Sequence, residues 1–504
     1  MRELDGMEAM ASIKRKAFTG VILFLVLFIS ILILTLPTSS VLDKNLSHDK
    51  TSALIMDGTE IRSRLSKAIQ FETVSSSLNT QKTQKMFHSF NAFLENNYPL
   101  VYQYLKVEKV SDYSLLYRWR AKDDNKLPAL LIAHTDVVPA IQKNINHPDK
   151  EWSYNPYSGF DNDEFIWGRG TLDNKSMVLA ILESIEKSLR NGRLTPNRTV
   201  YVAVTHDEEI GGHKGAKIIA DLMQSRNIKL AFILDEGQAI THKIVPGVAS
   251  PVAMIGVSQK GYMTLKLSVS GKGGHSMMPP RATAISVLSQ AISKLTDAPM
   301  PSKLTEPVRE MFSSLSPEMT FPNNIFLHHT WLTGPIVKSQ LSKKPATDAL
   351  IRSSMSFNMI EGGIAENVLP QSASVVVNFR IAAHNTSDDI IQYLSKTIAD
   401  KRVKIEVISS IEEASPITDV DSVSYKMVEK AIQNVFPKVA IAPSITLSTT
   451  DSRHFYALSD EILRFSPIRI GEKDLSRFHG VDERISISNY FEMIDFYSSL
   501  FDHI

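Results

Sequence analysis

The sequence predicts an α/β protein on a mixed, largely parallel sheet, with an α+β unit inserted late in the chain and one apolar segment at its N-terminus. Three observations predict it. Short β-branched apolar runs at Leu127–Ala133, Val200–Val204 and Leu230–Leu234 are interleaved, from Ser176 onward, with helical patterns, as in βαβ units. Each run ends in histidine or carboxylates: His134-Thr135-Asp136, His206-Asp207-Glu208-Glu209 and Asp235-Glu236-Gly237. Between about Lys260 and Glu412 the composition changes: Tyr262–Val269 alternates polar and apolar residues, the pattern of a sheet with one exposed face, and Val375–Ile381 and Val403–Ser409 read as further strands around helical patterns.

Taken in order, residues 1–17 form a short tail ending in the Lys14-Arg15-Lys16 cluster. Phe18 to Leu36 carries no charge and as a helix would extend roughly 28 Å, so it reads as a transmembrane signal anchor. The preceding basic cluster places the tail in the cytoplasm and the rest in a lumenal or extracellular space. A cleaved signal peptide is the rival, giving a secreted or vacuolar/lysosomal protein. Residues 37–59 are polar and read as a stalk, and Asn45, Asn197 and Asn385 are candidate glycosylation sites. Residues 60–259 and 413–504 are expected to form one α/β domain, and 260–412 an inserted α+β domain.

His134 and Asp136 lie two apart, so on an extended backbone they share a face, suiting a histidine ligand oriented by a carboxylate. They equally suit a strand end closed by a plain His–Asp pair. Gly168 and Gly170 precede Asp173 and suggest a tight loop presenting that carboxylate ahead of a helix over Ser176–Leu189. As a lone residue it also suits a helix cap. In an open parallel sheet the strand ends gather on one edge, so these groups can converge despite their separation in sequence. Together such acids are costly to desolvate unless cations sit among them.

Composition narrows the chemistry. Lys+Arg number 55 against 54 Asp+Glu, a formal charge of +1, which gives no basic field for nucleic acid. Cysteine is absent, so there are no disulfides, thiolate nucleophiles or Cys-based metal sites, and any metal is held by His, Asp or Glu.

The ordered motifs His134-Thr135-Asp136, Gly168-Arg169-Gly170-Thr171-Leu172-Asp173-Asn174-Lys175, Asp207-Glu208-Glu209, Asp235-Glu236-Gly237 and Phe478-His479-Gly480-Val481-Asp482-Glu483 resemble those of the zinc-dependent M20 family of peptidases and amidohydrolases. The likeness runs from about Asp57 to the C-terminus. It is greatest to the carboxypeptidase S-like branch, which includes N-fatty-acyl-amino-acid hydrolase/synthases and vacuolar Gly-Xaa carboxypeptidases. The resemblance implies a zinc-peptidase-like catalytic domain with two zinc ions. His134 and Asp235 would bind one, Glu209 and His479 the other, and Asp173 would bridge them. It implies that Asp136 orients His134 and that Glu208 is the general base.

The resemblance makes 60–259 and 413–504 the di-zinc catalytic domain and 260–412 an inserted lid and dimerisation domain. There it assigns His275, on the loop Gly271–Ser276, to stabilising the oxyanion, from a partner subunit in a homodimer. Asn367 and Arg380 would hold the free carboxylate of a small-molecule or dipeptide substrate. Without that frame His275 and Arg380 read as ordinary surface residues. Thr449-Thr450-Asp451-Ser452-Arg453 resembles a loop near the site, with Ser448 and Thr449 bulkier than the glycine of many relatives. The expected reaction is hydrolysis of amide bonds in N-acyl amino acids or dipeptides, with a Gly-Xaa carboxypeptidase as the nearest alternative. A non-catalytic membrane receptor is the alternative of another class, and it requires a missing ligand or base. Asn174 adjoins the bridging position and is expected to stay unglycosylated.

Overall fold

The computed structural model describes residues 58–77, 80–140, 151–245 and 247–504, with Ser30 and Leu34–Leu36. The chain enters through helices α1 (Gly58–Ile69), α2 (Gln81–Asn97, capped by Thr80) and α3 (Pro99–Tyr104), followed by the antiparallel strands β1 (Lys106–Val110) and β2 (Ser114–Trp119). Next come β3 (Ala129–His134), the short β4 (Phe160–Asp161) and β5 (Phe165–Trp167), helix α4 (Lys175–Arg190) and β6 (Val200–Thr205). Helix α5 (Ala216–Ser225) leads to β7 (Phe232–Asp235), β8 (Ile240–His242) and β9 (Val252–Gln259).

Strands β6, β3 and β7 are neighbours and parallel, and all their residues are buried. That explains their near-continuous apolar sequence, since a parallel sheet is covered on both faces. Helix α4 covers one face and is itself buried almost all round. Its two buried acids are paired: Glu183 with Arg64 at 2.6 and 2.8 Å, and Glu186 with the backbone N–H of Val101 at 3.0 Å.

The inserted unit begins with β10 (Gly261–Ser270), β11 (Gly274–His275) and α6 (Ala284–Asp297). Helices α7 (Glu306–Leu315), α8 (Asn323–His328), α9 (Thr330–Leu341) and α10 (Pro345–Ile351) follow, then β12 (Ser354–Gly362), β13 (Val368–Leu369), β14 (Ser372–Ile381), α11 (Ser387–Ile398) and β15 (Val403–Val407). A four-stranded antiparallel sheet in the order β12-β14-β10-β15 packs against α6 and α11 around its own apolar core, including Leu265, Leu288, Val377 and Leu394. The stretch between α6 and β12 is largely helical. Val308, Met311, Phe312 and Val337 from α7 and α9 pack on Val252 and Met254 of β9, so this part belongs with the large sheet.

The chain returns through α12 (Val423–Val435), β16 (Ala440–Thr446), β17 (Ile462–Arg464), β18 (Arg469–Gly471), β19 (Arg484–Ser486) and α13 (Ile487–His503). Among the described residues the large sheet has ten strands, in the order β1-β2-β6-β3-β7-β17-β9-β8-β18, with β16 beside β9. Its centre, β6-β3-β7-β17, is parallel; β1-β2, β2-β6, β17-β9 and β9-β8 pair antiparallel, while β16 on β9 and β18 on β8 are again parallel, giving the mixed sheet expected.

The expectation of an N-terminal transmembrane helix is corrected. Among the described residues no helix is long and apolar enough to cross a membrane. The membrane partner, the signal anchor and the single-pass lumenal placement rested on that helix and have no support among the described residues. Hydropathy over Phe18–Leu36 measures compatibility with a bilayer, and does not establish a continuous helix. The helical residue Leu34 is followed by a turn at Thr35, whose hydroxyl lies 3.4 Å from Nε2 of His329. The rest of that stretch, the tail, the stalk up to Asp57 and Asn45 lie outside the described residues.

Candidate metal centre and active site

Because β3, β6 and β7 run parallel, their C-terminal ends meet on one edge of the sheet, bringing together His134, the turn after Thr205, and Asp235-Glu236. Asp173 comes from the loop between β5 and α4. His479 comes from the loop before β19, which pairs with β5, so that pairing brings these two loops together. His479 has a backbone φ of 57°, the left-handed conformation that turns its ring toward Asp173.

Asp173 is the hub. Its Oδ1 lies 3.0 Å from Nε2 of His134 and its Oδ2 lies 3.1 Å from Nε2 of His479. Glu236 Oε1 is 3.4 Å from the same nitrogen of His134, and Glu209 Oε2 is 3.2 Å from that of His479. The result is two triads with ligand atoms at metal-binding separations, His134–Asp173–Glu236 and Asp173–Glu209–His479, sharing one carboxylate.

The other nitrogen of His134, Nδ1, lies 3.0 Å from the backbone carbonyl of Asp136 and 3.3 Å from its carboxylate. Asp136 is buried, and its two oxygens accept the backbone N–H groups of Glu208 and Glu209, each at 3.1 Å. One carboxylate therefore sets both the ring of His134 and the turn that carries Glu208 and Glu209.

The second strand-end acid differs from the sequence expectation. Asp235 belongs to neither triad. It faces the other way, accepting the N–H of Glu236 at 2.9 Å and of Ser452 at 2.7 Å beside the buried Arg464. Adjacent residues at a strand end point to opposite sides, and it is Glu236 that turns toward His134. Asn174, itself buried, donates its side-chain N–H to Glu236, which leaves no room for a glycan.

The electrostatics call for cations. Burial pushes Glu208 well above the usual carboxylate range and Glu236 up to about 7. At Asp173 burial acts the same way, but hydrogen bonds from His134 and His479 outweigh it and hold the carboxyl well below its usual range. Hydrogen bonds to Asp173 and Glu209 push His479 up to about 10. Oε1 of Glu209 is buried with no hydrogen-bond partner. A buried carboxylate oxygen left bare among other acids fits a ligand set for divalent ions, using only oxygen and imidazole donors.

A cavity of about 250 Å³ opens on this cluster, lined by Asp173, Glu208, Glu209, Glu236 and His479 together with Phe478 and Ser448–Thr450. The bulk expected at Ser448 and Thr449 thus stands in the wall. His275, Asn367 and Arg380 do not line it. His275 is exposed and pairs with Val368, and the carbonyl of Asn367 accepts the N–H of Ser276 at 3.1 Å. Arg380 lies over the ring of Tyr262, 4.9 Å from its centre, with Nη1 buried and unpartnered.

Three supporting residues had no role in the sequence reading. Lys175 is fully buried and donates to the carbonyls of Phe71 at 2.6 Å and Ala68 at 3.3 Å, holding the end of α1 against the Asp173 loop. Arg464 is buried behind Asp235. Glu483 is buried beneath the same loop and is treated below. The usable signal was a charged residue inside an otherwise apolar or glycine-rich motif.

The sequence profile of peptidase family M20/M25/M40 matches residues 130–503. The chain is 40% identical over 445 residues to the probable carboxypeptidase S-like 2 of Dictyostelium discoideum, covering 88% of this chain and 84% of that one. It is 38% identical over 440 residues to the N-fatty-acyl-amino acid synthase/hydrolase PM20D1 of Xenopus tropicalis, covering 86% and 84%. Among solved structures, the fold resembles that of an M20 family metallo-carboxypeptidase from Sulfolobus solfataricus, with a TM-score of 0.63 at 18% identity over 88% of this chain and 98% of that one. With the profile spanning most of its length and the paired His–carboxylate triads in place, the chain belongs to peptidase family M20/M25/M40 and is a metallopeptidase or amidohydrolase of that family.

Proposed function

We propose that the protein is a two-zinc, exo-acting amide hydrolase of the carboxypeptidase or dipeptidase kind, cleaving short substrates whose scissile amide adjoins a free carboxylate. The observation that carries this reading is the pair of triads sharing Asp173. His134 and Glu236 would hold one ion, Glu209 and His479 the other, with Asp173 between them. Zinc suits a set of imidazoles and carboxylates without cysteine. When bound, such a pair supplies Lewis acidity to a carbonyl oxygen and acidifies a nearby water.

The chain's own groups do the rest. Glu208 lines the cavity beside both triads without belonging to either, the placement of a general base that takes the water's proton and returns it to the leaving amine nitrogen. Asp136 keeps the His134 ring in one orientation throughout. His275, on the inserted unit or contributed by a second copy, is assigned to the developing oxyanion. Arg380 and Asn367 are assigned to the substrate carboxylate, and the bare buried Nη1 of Arg380 supports that role.

The 38% identity to an N-fatty-acyl-amino acid synthase/hydrolase favours a second reading, with a long acyl chain on the far side of the amide. The cavity of about 250 Å³ favours the short substrate. It falls below the roughly 300–1,000 Å³ of pockets that enclose drug-sized ligands. Incubating the zinc-loaded protein with Gly-Leu and with N-oleoyl-leucine, and separating the products, decides between them. Chelator-sensitive release of glycine supports the first reading, oleate release alone supports the second, and neither product with Glu208 intact refutes both.

A further inference from the structure

The loops that carry Asp173 and His479 are far apart in sequence, yet they are bonded through one buried side chain. Glu483 has no exposed surface. Its Oε1 accepts the backbone N–H groups of Gly170 at 2.9 Å, Leu172 at 2.8 Å and Asp173 at 3.2 Å. Its Oε2 accepts Nη1 of Arg169 at 2.6 Å, and its backbone carbonyl accepts the N–H of Gly168 at 2.8 Å. Arg169 closes the circuit by donating Nη2 to the carbonyl of Gly480 at 3.0 Å. Residues 168–173 and 479–483 are thus one hydrogen-bonded body, from which Asp173 and His479 project toward each other.

We propose that Glu483 is a positioning residue for the metal centre, setting the spacing between Asp173 and His479 on which the ion shared by Asp173, Glu209 and His479 depends. This rests on the two-metal reading above. A carboxylate is required because every group facing it is a donor: three N–H groups on one oxygen and a guanidinium on the other. The amide of Glu483→Gln has one acceptor oxygen. In either orientation its NH2 faces a donor, Arg169 or the three backbone N–H groups, and the body loosens at the point where Asp173 leaves it.

The test is zinc binding, measured by competition against a chelator together with metal counts per chain. For Glu483→Gln, the second ion is expected to bind ~10–100-fold more weakly than in wild type, the range found for partners that orient metal ligands, while the first stays bound. Asp482→Asn is the control. It disturbs the neighbouring clasp from Ser153 to Asp482, at 2.7 and 2.9 Å, and leaves the Glu483 carboxylate alone. It should keep wild-type affinity whatever it does to the melting temperature. Equal affinity in wild type and Glu483→Gln overturns the proposal, as does equal weakening by Asp482→Asn. If Glu483→Gln fails to fold, Arg169→Lys decides, since loss of the fork to Glu483 and Gly480 should weaken the same ion and unchanged affinity again overturns the proposal. A wild-type protein that binds no zinc refutes the two-metal reading instead.

Discussion

The adjacent acids Asp235 and Glu236 give opposite outcomes when each is changed to its amide. Glu236 faces His134 and Asp173, whereas Asp235 accepts two backbone N–H groups behind the sheet edge. On the proposed two-metal assignment, Glu236→Gln removes a direct ligand. Since changes to residues that only orient ligands already cost 10–100-fold in metal affinity, losing a ligand should cost at least ~100-fold, about 2.7 kcal/mol. The metal-free protein should not suffer. Burial holds Glu236 near 7, so the folded state binds its proton more tightly than the unfolded state does. A raised carboxyl pKa means stability lost as pH rises from the ordinary carboxyl range through about 7, and Gln abolishes that loss. At pH 8 the metal-free Glu236→Gln protein should therefore be at least as stable as wild type. Asp235→Asn does the reverse. Its one remaining acceptor oxygen leaves the N–H of Ser452 or of Glu236 unpaired in a buried site, costing about 1–3 kcal/mol of stability, while both ions stay bound. Zinc competition on loaded protein and urea unfolding of the metal-free protein measure the two effects separately. Retention of both ions by Glu236→Gln with loss of one by Asp235→Asn would refute this assignment.

Burial holds His454 at about 4, against the pull of its hydrogen bond to the Gly211 carbonyl. The unfolded state then takes up a proton that the folded state does not, so stability is full above about pH 6.5 and falls as pH drops toward 4, by roughly 2–3 kcal/mol. Urea unfolding of His454→Gln should show a flatter profile over that window. Arg64→Met leaves Glu183 buried with only the Tyr98 hydroxyl at 3.0 Å, and should cost about 3–5 kcal/mol. Adding Glu183→Leu should recover most of it, and a double-mutant cycle in denaturant measures the coupling. Arg380→Met should raise KM for substrates with a free carboxylate ~10–100-fold and leave carboxamide analogues nearly unchanged, if the charge-assisted pair forms on binding. Steady-state kinetics on the matched pair checks it.

The catalytic sheet was legible because its central strands are buried on both faces, so Val200–Val204 and Leu230–Leu234 stand out as apolar runs with polar ends. The helices over residues 306–351 were not legible, and the reason lies in their prolines. Pro307 and Pro345 occupy the first turns of α7 and α10, where a missing N–H costs nothing, so they mark helix starts that look like breaks in a linear reading. The inserted sheet showed through the alternation of β10 and the apolar run of β14, but where it stands relative to the catalytic edge is a matter of tertiary packing. That is why His275, Asn367 and Arg380 could be named from motifs while their distance from the cavity could not.

The choice between Asp235 and Glu236 shows where linear reading ends. Both acids follow the same apolar strand, and periodicity says only that they face opposite ways. The deciding information is in residues more than two hundred positions later, where the N–H of Ser452 and the guanidinium of Arg464 offset part of the burial that raises the Asp235 carboxyl. An acid whose oxygens are already taken by protein donors is a poor recruit for a metal. One left beside other acids, as Glu236 is beside Asp173, is stabilised chiefly by an added cation. Glu209 fits the same rule through its bare Oε1, and Asp136 fits it in reverse, since both its oxygens are taken by backbone N–H groups and it orients a ligand without being one. In the proposed two-metal arrangement Glu209 and Glu236 are therefore carboxylates that burial leaves undercompensated, while Asp173 is held by two imidazoles, and that is a property of the folded chain that no single motif contains.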